Sequence, residues 1–398
     1  MRNLFLIPIL FLMACSTQSG AVPQERMDLD PMLIRPGANG QPTEALDSND
    51  VFAQAYTAFS ARNYEVAAEN YDLIIRYFPE SRFYLPSLYN SGLAYEKLER
   101  WEEASARYRE VITKFPTESD ARDAFYRLAS SEEHLLRYEA VVELMTQVLL
   151  RPELTTFDRI EAHVRRANAL VEIGNLDEAV NGYQTALTIN AEAPGEQKLQ
   201  PGSHFLVQTY FGLGRVYHLQ VSAIKLVLPP ERMGEDLKEK ADLFLRAQSA
   251  YIKALSFHHP HWSMAAGFMI GRLYEDFYSD VFEAEIPADL SAEAVGFYFD
   301  ELRKQIRPLM VRAVQVYEKN LSLSRRMGTS ADDNTWVADT QKHLDRLKAY
   351  LDDATTQRRA ERFVMRGRKL ADMWAPVPVA MDVVEVARGS ASKVSTKP

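Results

Sequence analysis

Small and aromatic residues recur at helical spacing through most of the chain. The pattern alanine, three residues, tyrosine occurs at Ala67/Tyr71, Ala104/Tyr108, Ala179/Tyr183, Ala247/Tyr251 and Ala313/Tyr317. The pattern glycine, two residues, tyrosine occurs at Gly92/Tyr95, Gly214/Tyr217 and Gly271/Tyr274. Spacings of three and four place both members of a pair on one face of an α-helix. The pattern therefore predicts a succession of helices that pack through small residues and tyrosines.

The clearest copy of this pattern places Gly92 and Ala104 twelve residues apart. That separation predicts two short consecutive helices joined by a tight turn. Small residues at both positions let the helices approach closely, while the tyrosines fill the groove between neighbouring pairs. Pro79, Pro116 and Pro260 each follow a predicted second helix and indicate where it stops.

The alanine-type positions have a nearly constant period. Residues 67, 104, 141 and 179 lie 37, 37 and 38 apart, with a weaker copy at Ala129 and Val141. Residues 89–108 and 174–187 resemble tetratricopeptide repeats (TPRs), whose plain motif has about 34 residues. The resemblance implies an all-α, TPR-like α-solenoid of about six helix pairs, the last two with insertions, plus a C-terminal capping helix. Core residues of an unrelated bundle would give similar spacings, but the fixed period disfavours that alternative.

Two units in the second half exceed the period. From Gly214 the matching alanine is Ala247 instead of residue 226, and from Gly271 it is Ala313 instead of residue 283, excesses of 21 and 30 residues. We interpret both excesses as lengthened helices. The specific segments expected are a turn at Pro229–Pro230, a helix at Glu235–Leu255, a capping helix at Asp333–Leu351 and a basic amphipathic extension at Arg358–Trp374.

The N-terminal residues resemble the export signal of a bacterial lipoprotein. Arg2 precedes a short apolar run, Leu4–Met13, which is too short to span a membrane. Ala14 and Cys15 then match the lipobox, so the resemblance implies cleavage after Ala14 and acylation of Cys15. Ser16 at the next position favours the outer membrane in that family. An ordinary signal peptide with an incidental cysteine is the alternative.

Composition limits the remaining possibilities. The 398 residues have 46% hydrophobic and 25% charged side chains and a net charge of −9, which disfavours nucleic acid as a partner. The single cysteine excludes internal disulfides and cysteine-based metal sites. The predicted segments are a signal peptide at 1–14, a disordered tether at 15–48, repeat units at 49–191, elongated units at 203–330, capping helices at 331–374 and a disordered tail at 375–398.

The TPR resemblance also implies where a partner binds. In that family the first helix of each unit lines a concave face that receives peptides or partner helices. The matching positions are Tyr56, Tyr89, Lys97, Tyr126, Glu133 and Asn168. Solvated positions or contacts within a repeat are the alternative for each of them.

No catalytic, phosphate-binding or zinc motif is present in the sequence, so we expect neither a cofactor nor a small-molecule substrate. His258, His259 and His261 are compatible with a metal site, but a solvated loop is favoured because histidines around a proline rarely converge on one ion. A cell-wall enzyme with its site in residues 215–315 is the main alternative function. A solute-binding protein is disfavoured because strand and helix signals do not alternate.

Residues 49–150 are similar to the lipoprotein subunits of the β-barrel assembly machine, which combine an acylated cysteine, a short tether and TPR pairs. Residues 205–350, including Ala313–Leu321, resemble TPR lipoproteins linked to gliding motility and other envelope complexes of myxobacteria and their relatives. Together the resemblances imply a non-catalytic scaffold that is lipid-anchored to the outer membrane, faces the periplasm and docks components of an envelope machine.

Overall fold

The computed structural model describes residues 32–35, 44–332, 334–367 and 369–373. The chain divides into two compact units, residues 1–87 and 88–398. The fold is all-α apart from one short pair of strands among the described residues. The predicted signal peptide, Ala14, Cys15 and the predicted tail at 375–398 lie outside the described residues.

The elements follow one another as strands and then helices. The strands are β1 (Leu33–Arg35) and β2 (Glu44–Leu46). The helices of the first five pairs are α1 (Ser48–Ser60), α2 (Tyr64–Tyr77), α3 (Tyr84–Lys97), α4 (Trp101–Lys114), α5 (Ser119–His134), α6 (Tyr138–Leu149), α7 (Thr156–Glu172), α8 (Leu176–Glu192), α9 (His204–Ala223) and α10 (Pro230–Leu255). The remaining helices are α11 (Pro260–Phe282), α12 (Ala292–Met327), α13 (Thr335–Asp352), α14 (Ala354–Val364) and α15 (Leu370–Met373).

In the first unit, the two strands differ from the predicted irregular tether at 15–48. β1 and β2 pair antiparallel, with Leu33 opposite Leu46. Leu46 is buried with Val51, Ile74 and Phe78 in a small core of this unit. The part of the predicted tether at 33–35 and 44–46 is therefore ordered, because pairing brings Leu46 onto the apolar face of α1 and α2.

The turns within the first four helix pairs repeat one geometry. Arg62, Glu99, Leu136 and Gly174 each have a left-handed backbone, with φ of 62°, 58°, 57° and 81°. These residues lie 37, 37 and 38 positions apart, which is the period of the alanine pattern. A left-handed residue ends one helix and redirects the chain into the next within three residues. The tight turns predicted from the period are confirmed.

In the second unit, helices stack on their neighbours in sequence. From α4 to α13, each helix packs against the next one along the chain. The first helices of successive pairs also pack on one another, as α7 does on α9, α9 on α11, and α11 on α13. This arrangement of α-hairpins is a solenoid, and it confirms the predicted fold class.

The small and aromatic positions form the contacts predicted for them. Tyr71, Tyr108, Tyr183, Tyr251 and Tyr317 are all at most 1% exposed, and the five alanines that precede them are fully buried. A Cβ atom added to the glycines would lie 2.7 Å from the Tyr108 ring at Gly92, 2.6 Å from the Tyr251 ring at Gly214 and 2.1 Å from the Tyr317 ring at Gly271. The glycines therefore allow each tyrosine of a second helix to lie against the backbone of the first.

The excess residues of the second half lie mostly in long helices, as predicted. α10 has 26 residues and α12 has 36, compared with 14 in α4. α10 begins at Pro230, five residues before the predicted start, because proline is well tolerated in the first turn of a helix. The capping helix runs from Thr335 to Asp352, close to its predicted bounds. None of the described helices is both long and apolar enough to cross a membrane.

Candidate functional site

A groove of about 470 Å³ lies along the first helices of three consecutive pairs, α3, α5 and α7. Three of the predicted partner-binding residues, Tyr89, Lys97 and Tyr126, line this groove. We call it the first-helix groove. The predicted positions meet there because α3 and α5 present the same face of the repeat, one period apart.

The Tyr89 side of the groove is held by a network across three helices. Tyr89 lies edge-to-face with the buried Tyr108, with ring centroids 5.8 Å apart. Arg127 donates to the Tyr89 hydroxyl at 3.3 Å and to the Glu96 carboxylate at 2.8 Å. The Tyr108 hydroxyl donates to Glu96 at 2.7 Å. Burial raises the pKa of the Tyr89 phenol, so it stays a neutral hydroxyl.

The Tyr126 side is fixed in a similar way. Its hydroxyl donates to the backbone carbonyl of Asp158 at 2.8 Å, and burial raises its pKa. Arg165 donates to Glu161 at 2.8 Å and to Glu133 at 3.0 Å. Burial raises the pKa of the Glu161 carboxyl, although Arg165 opposes this effect. The aromatic surface of the groove is therefore preorganised by buried charges behind it.

The rim of the groove is less constrained. Lys97 is exposed, and no carboxylate of the described residues lies within ion-pair distance of its ammonium group. The Trp101 indole stacks on the His134 imidazole with centroids 3.5 Å apart and an interplanar angle of 18°. His134 Nδ1 donates to the Ser130 carbonyl at 2.8 Å in the neutral tautomer, and its Nε2 has no hydrogen-bond partner within the described part of the chain. Lys97 and His134 Nε2 thus offer a donor and an acceptor to a bound chain.

The other predicted partner-binding residues are placed differently. Glu133 is buried and accepts two hydrogen bonds from Arg165. Asn168 accepts a hydrogen bond of 2.6 Å from the Tyr183 hydroxyl, within its own helix pair. Tyr56 belongs to the first unit and is 50% exposed on α1. Their roles in binding stay predictions, but the polar atoms of Glu133 and Asn168 are already engaged within the protein.

Sequence reasoning missed four residues of the groove. These are Trp101, Arg127, His134 and Arg165. A signal for two of them was available, because Arg127 and Arg165 lie 38 residues apart, one repeat period. Each arginine also pairs with a glutamate of the preceding first helix, Glu96 and Glu133 respectively. An arginine that recurs with the period therefore marks a contact between repeats.

The helix pair at the centre of this groove matches a known family. Residues 87–117, which contain almost all of α3 and the whole of α4, match the family model described as the tetratricopeptide repeat. The fold is TPR-like. No curated protein matches the chain significantly.

Several solved structures are similar to parts of the chain. The MamA protein is 13% identical with a TM-score of 0.37, covering 53% of this chain and 95% of its own. A TPR protein from Parabacteroides merdae is 14% identical with a TM-score of 0.37, covering 76% of this chain and 98% of its own. YrrB, described as a TPR protein with an unusual peptide-binding site, is 19% identical with a TM-score of 0.35, covering 53% of this chain and 91% of its own.

Outside the groove, the elongated TPR-like units contain buried ionisable pairs where the alternative enzyme site was expected. His218 Nε2 lies 3.1 Å from Asp276, which Arg272 also contacts at 3.0 Å. Burial alone would raise the pKa of Asp276, but Arg272 and His218 lower it to about 2. A general acid requires a raised pKa, so Asp276 is suited to an ion pair that joins α9 to α11 and not to proton donation.

The predicted histidine cluster lies at the start of α11. His259 caps this helix, and its ring lies 6.0 Å from that of His204, a residue that sequence reasoning did not connect to the cluster. The Trp262 indole N–H donates to His204 Nδ1 at 3.4 Å. Among the residues that the structure describes, no group of three or more His, Cys, Asp or Glu side chains is placed to hold a metal ion.

Acidification is expected to destabilise the protein through His204. Burial and then the neighbouring His259 lower the pKa of His204 to about 4, because protonation would also place a second N–H against the Trp262 donor. The unfolded chain binds this proton near pH 6.5, so stability is lost as the pH falls from 6.5 towards 4.

We expect His204→Gln, which keeps an acceptor for Trp262, to remove about 2 kcal/mol of the pH dependence between pH 7 and 4.5. Urea unfolding of both proteins at the two pH values measures this difference. The same loss of stability in the variant and the natural protein would contradict the assignment to His204.

Proposed function

We propose that the protein is a non-catalytic scaffold that binds another polypeptide in the first-helix groove. The supporting observation is the convergence of Tyr89, Tyr126 and Lys97 on one groove of about 470 Å³. Aromatic rings supply contact area with little loss of conformational entropy, which makes tyrosine frequent among the residues that dominate binding energy.

The groove favours a rigid mode of recognition. The hydroxyls of Tyr89 and Tyr126 are held by Arg127 and by the Asp158 carbonyl, so these rings need little ordering when a partner binds. The exposed Lys97 ammonium and the exposed Asp123 carboxylate lie on the same groove. A bound segment that carries an apolar or aromatic side chain and both signs of charge fits these features.

The groove proposal is tested by crosslinking in cells. A photoreactive residue in place of Lys97 is expected to capture a polypeptide, and the additional change Tyr89→Ala/Tyr126→Ala is expected to remove about 90% or more of this product. Tyr77→Ala, which removes an exposed tyrosine from α2, is the matched control and should leave the product unchanged.

Two results would contradict the groove proposal. One is a crosslinked product that persists in the double alanine variant while circular dichroism shows native helix content. The other is an equal yield from a photoreactive residue in place of Gln184, which is exposed on the second helix α8.

We further propose that Cys15 anchors this scaffold to the outer membrane, facing the periplasm, within an envelope complex. The lipobox-like sequence Leu12–Cys15 and the position of the only cysteine support the anchor. Several acyl chains on one residue give stable attachment, since each buried methylene contributes about 0.8 kcal/mol.

The anchor proposal predicts a change in fractionation. Cys15→Ser is expected to abolish palmitate labelling and to move the protein from the membrane to the soluble fraction. Ser16→Ala is the control and should remain labelled in the outer-membrane fraction, whereas Ser16→Asp should move to the inner membrane if lipoprotein sorting applies. Unchanged fractionation of Cys15→Ser would refute the anchor.

A further inference from the structure

A second groove lies on the opposite kind of helix from the first-helix groove. It runs between the second helices α10 and α12 above α11 and has a volume of about 320 Å³. Its floor contains Gly267, Ile270 and Tyr274 of α11. None of its lining residues belongs to the first-helix groove. We call it the second-helix groove.

Each wall of this groove is a stripe of residues with alternating spacings of three and four. The stripe on α10 consists of Leu245, Gln248, Ile252 and Leu255, and the stripe on α12 consists of Arg312, Val316, Lys319, Leu323 and Arg326. Leu245 and Ile252 are 59% and 50% exposed. Alternating spacings of three and four form the seam by which one helix packs along another. Two such seams side by side create a site for a third helix.

The charge of the groove has one sign. Arg312, Lys319 and Arg326 follow one another at seven-residue intervals, about 10 Å apart along α12. All three side chains are exposed, and no carboxylate of the described residues pairs with any of them. The lining of the groove contains no Asp or Glu. A row of unpaired cations beside an apolar floor is unusual in a chain of net charge −9, and it is complementary to a row of carboxylates.

We propose that the second-helix groove binds an amphipathic helix of a partner protein, with an apolar seam and carboxylates at seven-residue intervals. The helix packs between Ile252 and Val316, and its carboxylates meet Arg312, Lys319 and Arg326. The three cations extend over 14 residues of α12, about 21 Å, so the bound helix has about four turns.

The shape of the site favours a helix over a lipid surface. A membrane takes up apolar side chains that protrude from a protein, together with cations around them. Here Ile270 and Tyr274 lie at the bottom of a groove, between the walls formed by α10 and α12. A recessed floor of this kind receives side chains that a partner inserts.

Binding of a labelled peptide to the full chain tests the proposal. The probe is a 21-residue fluorescent helix with leucines at alternating spacings of three and four and three glutamates at seven-residue intervals. A second probe has glutamine in place of the glutamates. We expect the acidic probe to bind about tenfold more tightly than the glutamine probe at low salt, and this difference to shrink as ionic strength rises.

Charge reversal identifies the surface that binds. The variant Arg312→Glu/Lys319→Glu/Arg326→Glu is expected to weaken binding of the acidic probe at least about tenfold. Arg159→Glu/Lys198→Glu/Arg366→Glu makes the same change of charge at exposed cations elsewhere and should change binding less than about twofold. All six side chains are exposed, so both variants should fold, which circular dichroism verifies.

Other outcomes would overturn the proposal. Equal weakening by the two triple variants would show attraction by overall charge and no site. Equal affinity for both probes would remove the role of the carboxylates. Loss of binding to phosphatidylglycerol vesicles in the first variant, with unchanged peptide binding, would assign the cations to a membrane instead. Crosslinking from a photoreactive residue at Val316 to residues 375–398 of the same chain would identify an internal occupant.

Discussion

Replacing Glu275 by alanine is expected to lower the free energy of unfolding by about 3 kcal/mol, because it leaves a buried cationic partner without its counter-charge. Glu275 lies on α11 and is 3% exposed. Its carboxylate accepts from the Tyr317 hydroxyl of α12 and from Arg346 of α13, and it lies 2.9 Å from His343 Nδ1. One side chain therefore joins three consecutive helices at the end of the solenoid.

The chain supplies a matched control for the Glu275 variant. Glu318 and Lys348 form an ion pair of 2.7 Å between α12 and α13, but both side chains are 49% exposed. Glu318→Ala is expected to cost less than about 1 kcal/mol, because water already solvates both partners. Urea unfolding followed by circular dichroism compares the two variants. Similar losses from both would show that burial of the Glu275 network contributes nothing.

Replacing Gly271 by alanine is expected to destabilise the protein by about 1–3 kcal/mol, although alanine is the better helix former by about 1 kcal/mol. The new Cβ atom would lie 2.1 Å from the Tyr317 ring. That ring is fully buried, and its hydroxyl donates to Glu275, so it has no free direction in which to move. Relief of the overlap requires α11 and α12 to separate.

Gly296→Ala is the control for the Gly271 variant. Gly296 lies within α12, and nothing lies within 4 Å of an added Cβ atom, so we expect a gain of about 0.5–1 kcal/mol. The double variant Gly271→Ala/Tyr317→Leu should recover part of the lost stability, since the smaller side chain leaves room for the methyl group. An increase in melting temperature for both single glycine variants would contradict the packing argument.

Local patterns in the sequence were sufficient to predict the helix pairs. The period of 37 to 38 residues reappears in the left-handed turn residues, and the excess residues after Gly214 and Gly271 lie mostly in lengthened helices. These features depend on residues close together in the chain, which helical spacing reveals. The exact start of α10 and the β1–β2 pairing were missed. The strand pairing depends on a contact between segments about ten residues apart, with two prolines in the intervening sequence.

The candidate site was predicted only in part. Tyr89, Lys97 and Tyr126 were identified from the repeat register, and the structure places them on one groove. Glu133 and Asn168 were identified by the same reasoning, but Arg165 and Tyr183 engage their polar atoms. The register states which face of a helix a residue occupies. It does not state which side chain of the next helix reaches that residue first.

The sequence by itself determined that this protein is built from helix pairs with buried tyrosines against glycines, because the small and aromatic residues recur at fixed helical spacing. Only the tertiary structure decided which polar side chains remain available to a partner. Glu96, Glu133 and Glu275 are each matched by an arginine from the next first helix, whereas Lys97 and the cations of the second-helix groove are not. That difference arises from distances between helices, which no pattern within one helix contains.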